Sequence, residues 1–250
     1  MTTTRSTADE NYPVWGFAAT LAWGVLIAAV FIFTQLAVMA VYLGIAHGGL
    51  PQSEYELLLV EAQYNGVIIS LSTIATMFIC GLLIVIAVRL KKGSNTRDYL
   101  GLYYPDRAAM RFWLIIIVVL VVASDLLTAF LGRPVVPEFV SQMYQTTQPI
   151  WLLWIAFIIA APVFEELFFR GFLFKGFAES FPGPVGAVVI TAAVWAAIHT
   201  QYDWYGLVTV FVLGLVLGYA RYRSGSLLLT IAIHSLINLI ATMEAALLAG

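Results

Sequence analysis

Charge is scarce in this chain. Lys, Arg, Asp and Glu account for 10% of its 250 residues, whereas a soluble domain carries about a quarter. So few charges cannot hydrate the outside of a water-soluble fold. With 62% hydrophobic residues and a mean hydropathy of +0.94, lipid has to take the place of water. Cysteine is nearly absent. Cys80 alone excludes an internal disulfide, and its apolar surroundings make it a small buried hydrophobe. A net charge of −2 offers no basic surface for nucleic acid. No cleavable leader is expected, because the first apolar run is too long for one and lacks a basic flank. Internal repeats, low-complexity tracts and a separate soluble domain are missing as well.

What the chain does have is long apolar runs. A helix needs about 20 such residues to cross the hydrocarbon core. About seven candidates lie near residues 14–44, 64–88, 112–131, 150–178, 185–201, 204–220 and 226–248, the fifth being short. The expected fold is all-α: a polytopic transmembrane helical bundle with a polar intramembrane cavity. Its parts are a polar N-terminal tail over 1–13, three spans with their loops over 14–149, and the late spans over 150–250. Basic residues set the orientation. Arg89, Lys91, Lys92, Arg97, Arg107 and Arg111 lie between spans two and three, Lys175 ends span four, and Arg221 and Arg223 lie between spans six and seven. The opposite loops hold Arg133 against Glu54, Glu56, Glu61, Glu138 and Asp203. This predicts a multi-pass protein of the cell membrane with its N-terminus in the cytoplasm.

Ionisable groups at membrane depth are rare and face a cavity or a partner. Here they are Asp125, Glu165, Glu166, Arg170, His199, His234 and Glu244, joined by the neutral Asn238. Asp125 and Glu244 lie toward the outer ends of their spans, where packing and contact with water account for them; His47 falls in a loop. Within "APVFEELFFRGFLF", Glu166 and Arg170 stand at i and i+4 with the acid first, the better order for an ion pair. Glu165 is turned about 100° away, and its own i+3 and i+4 neighbours are Phe168 and Phe169. A carboxylate without a counter-charge is suited to act as a general base. Pro162 removes one backbone hydrogen bond and can kink the helix just upstream. His234 and Asn238, also i and i+4, can aim two donors at one point, as an oxyanion requires. From the helix rise, Glu165 and His199 lie about 20 Å from the same membrane face, Asn238 about 18 Å and His234 about 12 Å. All four therefore share one layer.

Three motifs on successive late spans, "EELFFR", "WAAIH" and "HSLIN", resemble the CAAX-protease and bacteriocin-processing (CPBP, or abortive-infection) family of intramembrane proteases, with "RGFLF" and "GLVLGYARYRSGSLLLTIAIHSLIN" adding to the likeness over about residues 150 to 242. Position 195 is Trp where the family commonly has Phe, a conservative change at a packing position. The resemblance implies a helical bundle enclosing a polar cavity and a CAAX-type peptidase. In that scheme Glu165 with His199 activates the hydrolytic water, His234 and Asn238 stabilise the oxyanion, and Glu166 with Arg170 supports the site. The partners implied are membrane lipid and a peptide or protein substrate, with or without a lipid of its own. No cofactor is expected in this scheme. Two alternatives stay open. Glu165, His199 and His234 have the composition of a catalytic zinc site, and the bundle could instead be an immunity or transport protein that binds a peptide without cutting it.

Overall fold

In the computed structural model, residues 12–47 and 62–248 are described. The polar tail expected over 1–13 lies outside them as far as residue 11, as do Glu54, Glu56 and Glu61. The long elements are α1 (Phe17–His47), α2 (Gly66–Leu90), α4 (Arg107–Phe130), α6 (Trp151–Ala178), α8 (Trp204–Ser224) and α9 (Leu227–Leu248). Between them lie α3 (Thr96–Leu100), α5 (Glu138–Thr146) and α7 (Gly183–Ala197). Among the described residues, six helices are long and apolar enough to cross a membrane. The chain is an all-α polytopic bundle. α1 runs on to His47, so that residue ends a helix and does not lie in a loop.

Helix boundaries follow local chemistry. Asn65, Asn95, Asp106 and Asp203 each accept backbone N–H bonds in the first turn of α2, α3, α4 and α8. Gly101 and Gly225 close α3 and α8 in the left-handed conformation, with φ of 72° and 67°. The expected fifth span is shorter than the sequence suggested. α7 has 15 residues, about 22 Å of helix at the usual rise, and stops at Ala197. His199 lies just beyond it in a turn closed by Tyr202 N–H on the His199 carbonyl, 3.1 Å. The polar run Thr200 to Asp203 ends the helix, and Asp203 caps the next.

α6 is the axis of the bundle, touching α1, α2, α7, α8 and α9. Its Phe164, Phe168, Phe169, Phe172, Phe174 and Phe177 are buried against Ile27 of α1, Ile84 and Val88 of α2, Leu217 of α8 and Ile233 of α9. Phe31, Phe164 and Phe168 form a stacked series, with centroids 5.7 and 6.0 Å apart. The helix surfaces turned outward carry large apolar side chains such as Phe33, Phe78, Ile115 and Leu126. In water such a surface would drive aggregation; in lipid it is solvated.

The two ends of the bundle differ. At one end Trp15 donates to the Ala87 carbonyl, Tyr12 to the Asp98 carbonyl and Leu227 N–H to the Gly101 carbonyl. The basic clusters around residues 89–111, 175 and 221–223 gather there. At the other end Tyr144 donates to the Thr242 carbonyl, and Arg133 pairs with Asp203 at 2.6 Å. Asp125 of α4 and Glu244 of α9, treated separately in the sequence, lie beside each other.

Candidate active site

α6 does not stay α-helical through the stretch that carries the glutamates. Ala156–Ala160 and Leu167–Leu173 adopt the wider π-helical turn, and Ala161–Glu166 between them is α-helical. The Ala161 N–H reaches back five residues to the Ala156 carbonyl, and Phe174 N–H likewise to Phe169. Each widened turn shifts the helix register, so residues before and after it face different directions. The first of these turns ends at Ala160, two residues before Pro162, the position where the sequence suggested a kink.

Glu166 and Arg170 form the ion pair that their spacing predicts, at 2.9 Å, with both side chains fully buried. His234 Nδ1 lies 2.9 Å from the same Glu166 oxygen. A carboxylate only accepts, so Nδ1 carries the proton and donates it, leaving Nε2 turned away from Glu166. Arg170 is further held by the Gly214 carbonyl at 3.2 Å and by the face of Trp195 at 4.6 Å. This triad joins α6, α8 and α9 with the charges of acid and guanidinium balanced inside the bundle.

Glu165 is half-buried. Its Oε2 accepts a hydrogen bond of 2.5 Å from the indole Nε1 of Trp195. No side chain of opposite charge binds it among the described residues. One turn along from Trp195, His199 places its Nδ1 2.6 Å from the Trp195 carbonyl. A carbonyl can only accept, so Nδ1–H donates and Nε2 keeps its lone pair. The Trp195 ring then lies 5.1 Å from the ring of His199 and 5.4 Å from that of His234.

Five sequence-predicted groups, Glu165, Glu166, Arg170, His199 and His234, are thus brought together, and what joins them is Trp195. It holds the glutamate by its side chain and the histidine by its backbone, while its ring lies against Arg170 and His234. Sequence reasoning left Trp195 as a packing residue. Its signal was available, since a tryptophan buried at membrane depth needs an acceptor for its N–H. The polar interior takes the form of a packed cluster, with Glu165 and His199 part-exposed at its edge.

Asn238 sits one turn beyond His234 as expected, but its Nδ2 donates to the Phe157 carbonyl on α6 at 2.8 Å. One amide hydrogen is left over. Among the described residues no three His, Cys, Asp or Glu side chains gather as a metal-binding group. Glu165 Oε2 is engaged by the Trp195 N–H and His234 Nδ1 by Glu166, which leaves the other Glu165 oxygen and Nε2 of each histidine without a protein partner among the described residues.

Residues 147–240 match the family described as type II CAAX prenyl endopeptidase, Rce1-like. The likeness to this family is confined to these residues, 94 of the chain's 250. The Rce1-like segment starts at the turn before α6 and ends in α9, so it contains every residue of the cluster. An Escherichia coli relative described as an uncharacterized 24.3 kDa protein is 31% identical over 127 residues. The match covers 49% of this chain and spans 58% of that relative's length. No solved structure matches the chain.

Proposed function

We propose that the protein is a glutamate-dependent intramembrane endopeptidase that hydrolyses a peptide bond of a membrane-associated peptide or protein. The observation that carries this reading is the gathering of Glu165, His199 and His234 around the Trp195 ring, inside a segment that matches a peptidase family.

Water binds between the free oxygen of Glu165 and Nε2 of His199. Glu165 takes a proton from it as the oxygen attacks the scissile carbonyl carbon. General-base assistance of this kind contributes about 10²- to 10⁴-fold. The carbonyl oxygen becomes an oxyanion, which receives donors from His234 Nε2 in its doubly protonated form and from the second amide hydrogen of Asn238. Glu166 accepts from both Arg170 and His234, so these three groups then carry one net positive charge, which faces the oxyanion. As the C–N bond breaks, the proton held by Glu165 passes to the leaving nitrogen. One water is consumed and two new termini form, with no net change at the enzyme. No metal takes part in this scheme.

We assign the basic end of the bundle to the cytoplasm on the distribution of Lys and Arg. The family description makes a prenylated protein tail the first class of substrate to try. The test is a comparison of peptide termini in cells carrying the natural protein or Glu165→Gln at matched abundance. The expected result is a set of termini present only with the natural protein, unaffected in purified form by chelator. Identical termini in the two cultures contradict the hydrolase reading and favour a binding protein. Activity that is lost in chelator and recovered with zinc contradicts the metal-free route.

A further inference from the structure

The bond between Asn238 and the Phe157 carbonyl has a specific cause in the chain of α6. In an α-helical register the Phe157 carbonyl accepts from the N–H of residue 161. That N–H is directed to the Ala156 carbonyl, 161 to 156 being the wider i to i−5 spacing. In the π register the donor for Phe157 is residue 162, which is proline and has no N–H. Both backbone donors are therefore unavailable to this one carbonyl, in a helix whose Ala156 and Ala160 are fully buried. An unpaired backbone carbonyl in hydrocarbon is unfavourable, and such gaps are filled by a neighbouring helix. Asn238 reaches across from α9 and supplies the missing donor at 2.8 Å.

The same device recurs on the far side of the glutamates. The Arg170 carbonyl lacks its α-helical donor, because the Phe174 N–H turns to Phe169. Arg221 Nε from α8 donates to it at 3.0 Å. The two widened turns that bracket Glu165 and Glu166 are each clasped by a side chain from a later helix.

We infer that Asn238 is a positioning residue for Glu165: it replaces the backbone donor that Pro162 cannot supply and so fixes the turn of α6 from which Glu165 projects. This role does not rest on the hydrolase reading, and it stands beside any contact of the second amide hydrogen with substrate. Pro162 and Asn238 form one functional unit. The asparagine is needed at this place because the proline is there, and restoring an N–H at 162 relieves the need.

A double-mutant comparison tests this without any substrate. The variants are Asn238→Ala, Pro162→Ala and the combination. The readouts are the thermal unfolding midpoint, amide exchange over residues 158–165, and the indole N–H resonance of Trp195 in ¹⁵N-tryptophan-labelled protein, assigned by its loss in Trp195→Phe. Asn238→Ala is expected to lower the midpoint by several degrees, speed exchange in that stretch at least tenfold, and shift the Trp195 resonance as Glu165 moves. In the Pro162→Ala background the same substitution is expected to have little effect on any of the three. An equal loss in both backgrounds overturns the inference, as does an Asn238→Ala variant whose midpoint and exchange match the natural protein. If Asn238→Ala alone does not accumulate, membrane yield is compared. Recovery in the double variant supports the inference, and equal absence overturns it. Slow turnover in a well-folded double variant is expected from the proposed oxyanion contact and leaves the positioning role intact, whereas a protein that cuts nothing can still pass every one of these measurements.

Discussion

The indole N–H of Trp195 and the carboxylate of Glu165 meet at 2.5 Å between α7 and α6. Phenylalanine could fill the same space but could not donate. Trp195→Phe therefore removes one hydrogen bond to a charged acceptor while keeping the ring against Arg170, His199 and His234. A bond of this kind is worth about 1.5–3 kcal/mol, so turnover is expected to fall about ten- to a hundredfold. The unfolding midpoint should fall by no more than several degrees, because Glu165 is only half-buried and water can replace the lost donor. Peptide cleavage rate and thermal unfolding, measured on one preparation, check both halves of this expectation.

Glu166, Arg170 and His234 should behave as a unit. Arg170→Met leaves the buried Glu166 carboxylate with His234 alone, and breaking a buried pair in this way costs about 3–5 kcal/mol. Replacing both partners, as Glu166→Leu with Arg170→Met, should cost less than the Arg170 change alone, because no charge is then left unmatched. Unfolding in detergent of the two singles and the double gives the comparison.

Gly214 is the closest neighbour to test by a single carbon. A Cβ there would lie 3.0 Å from Cε3 of Trp195 and 3.1 Å from Cβ of Ala192, while the Gly214 carbonyl holds Arg170. Gly214→Ala must push Trp195 or part α7 from α8, at a cost typical of overpacking, about 1–3 kcal/mol. Activity should drop further than stability alone explains, since Trp195 carries Glu165. The ratio of cleavage rates at a temperature where both proteins are fully folded measures the excess.

Outside the membrane, Asp203 caps α8 and pairs with Arg133. The Gly206 amide, followed by the Arg133 guanidinium, holds its carboxyl below the ordinary aspartate range. Its contribution is present above the ordinary aspartate value of about 3.9 and is lost as pH falls through the lower folded value. Asp203→Ala should lower the unfolding midpoint at neutral pH, and the difference from the natural protein should close in strong acid. Asp203→Asn keeps a cap and should show a smaller loss at neutral pH, and this smaller gap should also close in acid as Asp203 of the natural protein is protonated. Scans of unfolding midpoint against pH distinguish the two.

How much of this was legible in the chain depends on the range of the interaction. The Glu166–Arg170 pair is local, four residues on one helix, and its geometry follows from helical spacing alone. The long spans follow from apolar runs, which lipid requires and water forbids. α7 was overestimated because "WAAIHT" continues the apolar pattern, while the turn at His199 is set by the polar residues after it and by the cap of the next helix. Trp195 was read as packing because its acceptor is 30 residues away in sequence and only tertiary contact pairs them. Asn238 pointed to the right place with an incomplete partner: the periodicity put it near His234, but the vacant Phe157 carbonyl exists only once α6 widens. The Asp125–Glu244 contact was hidden for the same reason, since two carboxyls on distant helices give no sequence signal of meeting.

Glu165 as the base for water is the claim on which the rest depends. Purified protein, reconstituted in liposomes with prenylated and unprenylated tail peptides in ¹⁸O-labelled water, tests it most directly by mass spectrometry. The natural protein should generate shortened peptides whose new C-termini carry ¹⁸O, with the same yield in chelator, and Glu165→Gln should reduce that yield at least a hundredfold while remaining folded. Equal ¹⁸O incorporation by the natural protein and Glu165→Gln would contradict the account.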